Sequence, residues 1–150
     1  MPAPEELRRD MTRRNDAVEN LKRLVLYREK QYAELMPITQ SIQGNINTMP
    51  ASLAKEVSAY LRRGLVLIEF VSPTPDPYSP ADLVRNVVFS DGIYFWDGII
   101  LHRVEKYKVR MPEEFMAHFD SAKSQPIPVD ESDVPRLLTA FKTAAPLMVI

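Results

Sequence analysis

Two histidines are the residues of this chain with the clearest chemical potential, and each lies close to a carboxylate in the sequence. Glu105 follows His102 by three positions, and Glu114 precedes His118 by four. Side chains three or four positions apart share one face of a helix, so each pair could ligate zinc or act in acid–base catalysis. A catalytic zinc needs three protein ligands, however, and the sequence has no HExxH-like set. The pattern therefore favours structural or solvent-facing histidines over a small hydrolase or metal-dependent enzyme that uses them.

Other sequence signals of catalysis or cofactor binding are weak. The chain has no cysteine, which excludes thiolate nucleophiles and disulfides. No serine lies in a GxSxG motif, and the four glycines are too dispersed for a phosphate-binding loop. We therefore expect a protein that is not an enzyme, with no catalytic residues, no cofactor and no bound metal.

Carboxylates are concentrated in one segment, residues 111–133, which contains six of them and a single lysine. Several lie at predicted helix starts, where the positive end of the helix dipole accounts for them without any catalytic role. The local negative charge could also steer a basic partner surface towards this segment. The candidate partner-binding residues are Glu113, Glu114, Asp120, Asp130, Glu131 and Asp133.

Size and charge limit the class of protein. The chain has 150 residues, with 19 basic and 20 acidic side chains and a formal net charge of -1. This balance gives no general attraction to nucleic acid or to an anionic membrane. No apolar run approaches the roughly 20 residues of a membrane-spanning helix, and the start of the chain does not resemble a signal peptide. We expect one cytoplasmic domain over 1–150, with an N-terminal helical region (1–49), a central α+β core (50–122) and a C-terminal helix and tail (123–150).

Hydrophobic spacing predicts the elements that would position these residues. Apolar residues at spacings of three and four indicate a long N-terminal helix, which could pack on its own domain or pair with a second copy in a homodimer. Short β-branched and aromatic runs indicate strands. The predicted helices cover 4–36, 53–63, a segment that starts after Asp97, 111–122 and 134–144, and the predicted strands cover 65–71, 87–90 and 93–96. The fold class is therefore α+β, with a small antiparallel sheet of about three strands and four to five helices.

The stretch SDGIYFWDG, residues 90–98, is predicted to contain the turn and second strand of a hairpin and to lead directly into a helix, with Asp97 as its N-cap. Asp91 and Gly92 form a dipeptide that suits the two central positions of a tight hairpin turn. Side chains alternate along a strand, so Tyr94 and Trp96 should share one face and Phe95 the other. One face should be core, and the other could be exposed to a partner or covered by a helix.

The order of these signals resembles that of a group of small bacterial proteins, mostly uncharacterised, with the pattern YLxxG…TDGxWxW…LPxEFxxH. The matching parts are YLRRG at 60–64 and SDGIYFWDGIILHRVEKYKVRMPEEFMAHF at 90–119, which lie within a span of about 60 of the 150 residues. The residues on the pattern include Asp91, Gly92, Trp96, Val104, Tyr107, Val109, Pro112, Glu114, Phe115 and His118. The chain departs from the pattern at Ser90, Tyr94, Asp97 and the pair His102–Arg103.

The resemblance implies a function, because genes of this group often lie among polymorphic-toxin and immunity genes. It implies an immunity protein that neutralises a cognate toxin by binding it directly and occluding its active site. An adaptor or chaperone for a secreted effector is the alternative from the same resemblance. A small hydrolase is the alternative from the histidines alone.

Overall fold

The computed structural model describes residues 21–25 and 41–147. Within these ranges the chain forms four α-helices, a five-stranded sheet and a two-stranded sheet. The elements in chain order are β1 (Lys22–Leu24), α1 (Ala51–Arg62), β2 (Leu65–Glu69), β3 (Thr74–Pro75), β4 (Leu83–Val84), β5 (Val87–Ser90), β6 (Tyr94–Asp97), α2 (Gly98–Tyr107), α3 (Glu113–Ala122), α4 (Val134–Phe141) and β7 (Ala145–Leu147). The mixed α and β class is as predicted. No helix among these described residues is long and apolar enough to span a bilayer.

The main sheet is larger than predicted and is mixed. Its strand order is β2-β5-β6-β1-β7. The three predicted strands form the antiparallel part, in which β5 pairs with both β2 and β6. The prediction of about three antiparallel strands is wrong in size, because β1 adds in parallel to β6 and β7 adds in parallel to β1. Each added strand has only three residues, which is too short for a period of two to be recognised.

Strand β1 also corrects the predicted N-terminal helix. Lys22–Leu24 lies inside the predicted helix 4–36, but it is extended and pairs on both sides. Leu21 and Leu24 fit a helical spacing of three, but they are buried on opposite faces of the sheet. Strand pairing on both edges thus overrides the local helical pattern. The rest of that predicted helix, and the homodimer that it could form, lie outside the described residues.

The sheet has a core on each face. Helices α1, α2 and α3 cover one face, and α4 covers the other. The first core includes Leu24, Tyr60, Leu61, Phe89, Tyr94, Trp96, Val104 and Phe115. The second includes Leu21, Leu67, Val88, Phe95, Leu137 and Ala140. The predicted alternation of Tyr94, Phe95 and Trp96 is therefore confirmed, and a helix covers the face that carries Phe95.

The β5–β6 hairpin is the predicted one with its turn moved by one residue. Ser90 pairs with Phe95, and the Asp91 N–H donates to the Tyr94 carbonyl. The central turn residues are thus Gly92 and Ile93, not Asp91 and Gly92. Gly92 has a φ of 95°, which only glycine adopts readily. This shift frees the Asp91 side chain for another role.

The helices follow the predictions with small differences. Helix α1 begins at Ala51 instead of 53, and α3 ends at Ala122 as predicted. Helix α2 begins directly after Asp97, but the Asp97 side chain makes no capping hydrogen bond. Helix α4 ends at Phe141 instead of 144, because the following residues extend to join β1 as β7.

Candidate functional site

His118 belongs to a buried hydrogen-bonded cluster that joins three elements. Its Nε2 lies 2.7 Å from Asp91 Oδ2, and the Tyr60 hydroxyl donates to the same oxygen over 2.6 Å. Tyr60 lies on α1, Asp91 at the start of the β5–β6 turn and His118 on α3. We call these three residues the Asp91 cluster. They occupy three separate parts of the sequence pattern quoted above, the tyrosine of YLxxG, the aspartate of TDG and the histidine of EFxxH.

Asp91 is saturated with donors on both oxygens. Its Oδ1 accepts from the N–H groups of Ile93 at 2.9 Å and Tyr94 at 2.8 Å. Burial alone would raise the pKa of Asp91, but hydrogen bonds from His118, Tyr60 and these two N–H groups outweigh it and hold that pKa below its usual range. Asp91 is therefore ionised at neutral pH although only 1% of its surface is exposed. Since an ionised carboxylate only accepts, Nε2 of His118 carries the proton.

The tyrosine hydroxyl of the cluster is held as a donor. Burial raises the pKa of Tyr60 far above its usual range, and the hydrogen bond to Asp91 raises it further. Tyr94 behaves in the same way, because burial and a 2.9 Å hydrogen bond to Glu114 raise its pKa. Neither hydroxyl can lose its proton near neutral pH, so neither can serve as a base.

Glu114 does not pair with His118, contrary to the helical spacing. It accepts from Lys22 Nζ at 2.6 Å and from the Tyr94 hydroxyl. The hydrogen bonds from Lys22 and Tyr94 lower the pKa of Glu114. It therefore links α3 to β1 and β6, and the partner of His118 is a residue 27 positions away that helical spacing could not identify.

A pocket of about 490 Å³ opens beside the Asp91 cluster. Tyr60, Asp91, His118 and Ser121 line it together with the segment 125–128. No hydrogen bond reaches His118 Nδ1 from the described residues. A neutral imidazole could therefore accept a proton on Nδ1 while its Nε2 stays hydrogen-bonded to Asp91. The Ser121 hydroxyl has a long 3.4 Å contact with the Ala117 carbonyl. The arrangement is a histidine–carboxylate pair at a pocket, and the Tyr60 hydroxyl bonded to Asp91 also lies 3.3 Å from His118 Nε2.

His102 belongs to a second cluster, centred on Asp76. Its Nε2 lies 3.1 Å from Asp76 Oδ2, which also accepts from the Tyr107 hydroxyl at 2.7 Å. The sequence neighbour Glu105 instead pairs with Arg62, so the His102–Glu105 pairing is wrong.

The charge state of Asp76 follows from its donors. Burial would raise its pKa, but hydrogen bonds from Tyr107, the Tyr78 N–H and His102, with the charge of Arg103, lower it overall. Burial together with the hydrogen bond to Asp76 raises the pKa of Tyr107 to about 12.

Three side chains of this second region have the spacing of a metal site. One ligand atom each of Asp76, Asp82 and His102 lies within 4.8 Å of the other two. Cations already neutralise both carboxylates, because Lys106 pairs with Asp82 and Arg103 lies 3.9 Å from Asp76. A divalent ion would have to approach two fixed positive charges, so the residues fit a metal poorly.

The six acidic candidates are distributed over α3 and the turn before α4. Asp120 pairs with Lys123, and Asp133 pairs with Arg136. Asp130 accepts from the Ser132 N–H, and its own N–H donates to Asp133, as in a capping box. With Glu114 bound to Lys22, only Glu113 and Glu131 of the six show no ion pair or side-chain hydrogen bond among the described residues. Local helix contacts therefore account for three of the six carboxylates.

Strand β2 forms an apolar edge of the sheet that sequence patterning missed. Regular alternation along a strand would place Val66, Ile68 and Phe70 on one face and Glu69 on the other, towards water. Glu69 is exposed, but so are Val66, Ile68 and Val71, and 53% of Phe70 is exposed. The register shifts between Val66 and Ile68, so this β-bulge moves Ile68 relative to the regular alternation.

A groove of about 390 Å³ adjoins this edge, between the strand ends and α4. We call it the β2 groove. Its apolar lining includes Ile68, Phe70, Val88, Leu138 and Phe141, and its charged lining is Arg23, Arg85, Lys142 and Asp97.

Another missed signal is the SxxK spacing of Ser52 and Lys55, which occurs in some serine hydrolases. Both side chains are exposed on α1, and neither lines the two pockets described above.

Comparisons with known proteins assign no family to the chain. No protein-family model matches it, and no match was found among curated proteins or among solved structures. The Asp91 cluster and the β2 groove must therefore be interpreted from their own geometry.

Proposed function

We propose that this chain is a non-enzymatic protein-binding module of the bacterial cytoplasm that neutralises a cognate toxin by direct binding and occlusion of its active site. The observation that carries the proposal is the exposed apolar edge of β2. The resemblance to proteins of toxin–immunity loci supports the identity of the partner.

The β2 edge has the composition of an interface. Within the described ranges β2 pairs only with β5, so its other edge offers unpaired main-chain groups. Val66 on the strand is exposed, and so are Phe70 and Val71, which follow its last residue. Natural sheet edges are normally protected by charge, and an apolar, open edge is a template for an added strand. A partner that covered these side chains would gain the free energy of removing them from water.

The Asp91 cluster supports the same proposal as part of a rigid scaffold. Three elements meet at one buried carboxylate whose acceptor sites are filled, and such networks hold a single arrangement. A fixed β5–β6 hairpin in turn fixes β2, its antiparallel neighbour. The interface would then be preformed, which lowers the entropic cost of association.

The test is a titration of the purified toxin that is encoded beside the gene of this protein. We expect stoichiometric inhibition by the wild type and a loss of affinity of about 100-fold or more with Phe70→Asp, because a charge would be buried in an apolar contact. Ile93→Asp is the matched control, since Ile93 is also exposed but lies at the hairpin tip. Glu113→Lys and Glu131→Lys test the acidic candidates, which stay predictions. Binding without inhibition would favour the adaptor or chaperone, and no binding would contradict the proposal.

A second candidate function is acid–base hydrolysis at the Asp91 cluster. The specific observation is the pocket beside His118, whose imidazole has a buried carboxylate partner. Under this alternative, purified protein would hydrolyse simple ester or amide substrates, and His118→Gln would abolish the activity without unfolding the protein. We favour binding because the hydroxyl that lies near His118, that of Tyr60 at 3.3 Å from Nε2, donates its proton to Asp91 and cannot lose it near neutral pH.

A further inference from the structure

We propose that the pocket beside the Asp91 cluster binds a small, uncharged molecule that has an apolar body and a hydroxyl group, such as an alkylphenol. The inference goes beyond the proposed function and does not depend on it, because none of the described residues that line this pocket belongs to β2. It is carried by the juxtaposition of a hydrogen-bonded imidazole, a neighbouring hydroxyl and an apolar wall.

The imidazole of His118 offers the pocket a hydrogen-bond acceptor. Its Nε2 lies 2.7 Å from Asp91 Oδ2, and the ionised carboxylate keeps the proton on this nitrogen. A neutral imidazole has one N–H, so its Nδ1 accepts, and no hydrogen bond from the described residues reaches it. The side chain lines the pocket and is 18% exposed. A ligand hydroxyl can therefore donate to Nδ1, and the charge of Asp91 behind the ring strengthens that bond.

The charges around the pocket favour an uncharged ligand. Asp91 is the single carboxylate among the lining residues, and its oxygens already accept from two side chains and two N–H groups. The guanidinium of Arg63, which packs over the Tyr60 ring, donates to the carbonyl groups of Lys123 and Gln125. An ionic ligand would lose hydration here while both nearby charges already have partners, and such a loss is costly.

Ser121 supplies a second polar contact for the same ligand group. It lies on α3 three positions after His118 and also lines the pocket. Its hydroxyl makes only a long 3.4 Å contact with the Ala117 carbonyl, so it can rotate to donate to a ligand oxygen. A ligand hydroxyl can thus donate to Nδ1 and accept from Ser121, whereas an ether oxygen can only accept.

The apolar part of the lining suits a hydrocarbon body of modest size. Ile93 at the hairpin tip and Ala122 at the end of α3 line the pocket together with Pro126, Ile127 and Pro128. The volume of about 490 Å³ lies within the roughly 300–1,000 Å³ of ligand pockets. Such pockets combine apolar walls with a few polar groups that fix the orientation of the ligand.

The experiment titrates the full chain with para-propylphenol and follows binding by NMR at about pH 8, where an imidazole is ordinarily neutral. The methyl ether of this phenol is the matched control that lacks the donor, and para-propylbenzoate is the anionic control. We expect the phenol to bind at least about tenfold more tightly than either control. The phenol, and not the ether, should shift the nitrogen resonance of His118 Nδ1.

Two variants locate the binding. His118→Gln should remove the preference for the phenol over the ether, because its amide can replace the donor to Asp91 but not the imidazole acceptor. Ser121→Ala should weaken phenol binding about threefold or more. Ser124→Ala, the same change at an exposed position that does not line the pocket, should leave it unchanged.

The outcomes separate this inference from the proposed function. Equal binding of the phenol and its ether, tighter binding of the benzoate, or no binding of any of the three would overturn the inference, even if the toxin were still neutralised. Equal effects of Ser121→Ala and Ser124→Ala would overturn it as well. Phenol binding that meets these expectations, without toxin neutralisation, would support the pocket and contradict the proposed function.

Discussion

Asp91 is the residue on which the centre of the structure most depends. It is a buried charge that accepts from two side chains and two main-chain N–H groups. Charge-assisted hydrogen bonds are stronger than neutral ones, and removing one partner leaves buried donors without an acceptor. Its role at the base of the turn explains why Tyr60 and His118 converge on it.

We therefore expect Asp91→Asn to destabilise the protein by about 3 kcal/mol. The amide removes the charge and brings a donor group towards Tyr60 and His118, which both donate. Denaturant unfolding measures the effect, with Asp120→Asn on the exposed surface of α3 as the control that should change little. Equal stability of the two variants would show that the cluster is not a structural centre.

Sequence reasoning identified the residues of this cluster but not their contacts. It placed His118 on a helix correctly, and it placed Asp91 one position too far into the turn. The contacts join residues 27 and 31 positions apart, and helical spacing reports only neighbours three or four positions away. For the same reason helical spacing could suggest Glu114 beside His118 and Glu105 beside His102, whereas Glu114 bonds Lys22 and Tyr94 and Glu105 bonds Arg62.

At the scale of elements, the connection between β6 and α2 contains a close main-chain approach that the sequence does not reveal. A Cβ atom at Gly98 would lie 2.2 Å from the main-chain oxygen of Arg85. Helix α2 can therefore start directly after the strand only because this residue has no side chain. The Asp–Gly pair at 97–98 is typical of a helix N-cap. In the structure its glycine is needed because the main chain of another segment lies too close for a side chain.

Gly98→Ala should consequently destabilise the fold by about 3 kcal/mol, since main chain must move to admit the methyl group. Gly44→Ala is the matched control, because a Cβ at Gly44 meets nothing within 4 Å. That change should be neutral or slightly stabilising. Thermal unfolding of both variants measures the difference, and a tolerated Gly98→Ala would contradict the contact.

The elements differed in how well the sequence predicted them. The β5–β6 hairpin and α3 have strong local signals, a glycine turn and a proline with first-turn carboxylates, and both are confirmed. Strands β1 and β7 have no local signal, because they are short and depend on pairing with distant segments. The β2 groove forms from the ends of several such elements, so no single stretch of sequence could reveal it.

At the scale of the whole molecule, buried carboxylates set the dependence of stability on pH. Asp91 and Asp76 both have a pKa held below that of an unfolded aspartate, which is about 3.9. The unfolded chain therefore binds protons first as pH falls, and stability present above this value is lost as pH drops through the folded pKa values. Both clusters join different elements, so the loss should be global.

We expect the free energy of unfolding to decrease steeply below about pH 4 to 5 and the decrease to be smaller in Asp91→Asn. Denaturant titrations over a pH series measure both slopes. If the free energy of unfolding of Asp91→Asn decreased with falling pH as steeply as that of the wild type, protonation of Asp91 would not explain the acid sensitivity.

The most direct test of the account is protection of bacterial cells against candidate toxins taken from the genes neighbouring this one, with Phe70→Asp and His118→Gln compared at equal expression of folded protein. Because we place binding at the β2 edge and a structural role at the Asp91 cluster, His118→Gln should protect as the wild type does, and Phe70→Asp should not protect. Loss of protection in folded His118→Gln, with full protection by Phe70→Asp, would contradict the account and assign the function to the imidazole.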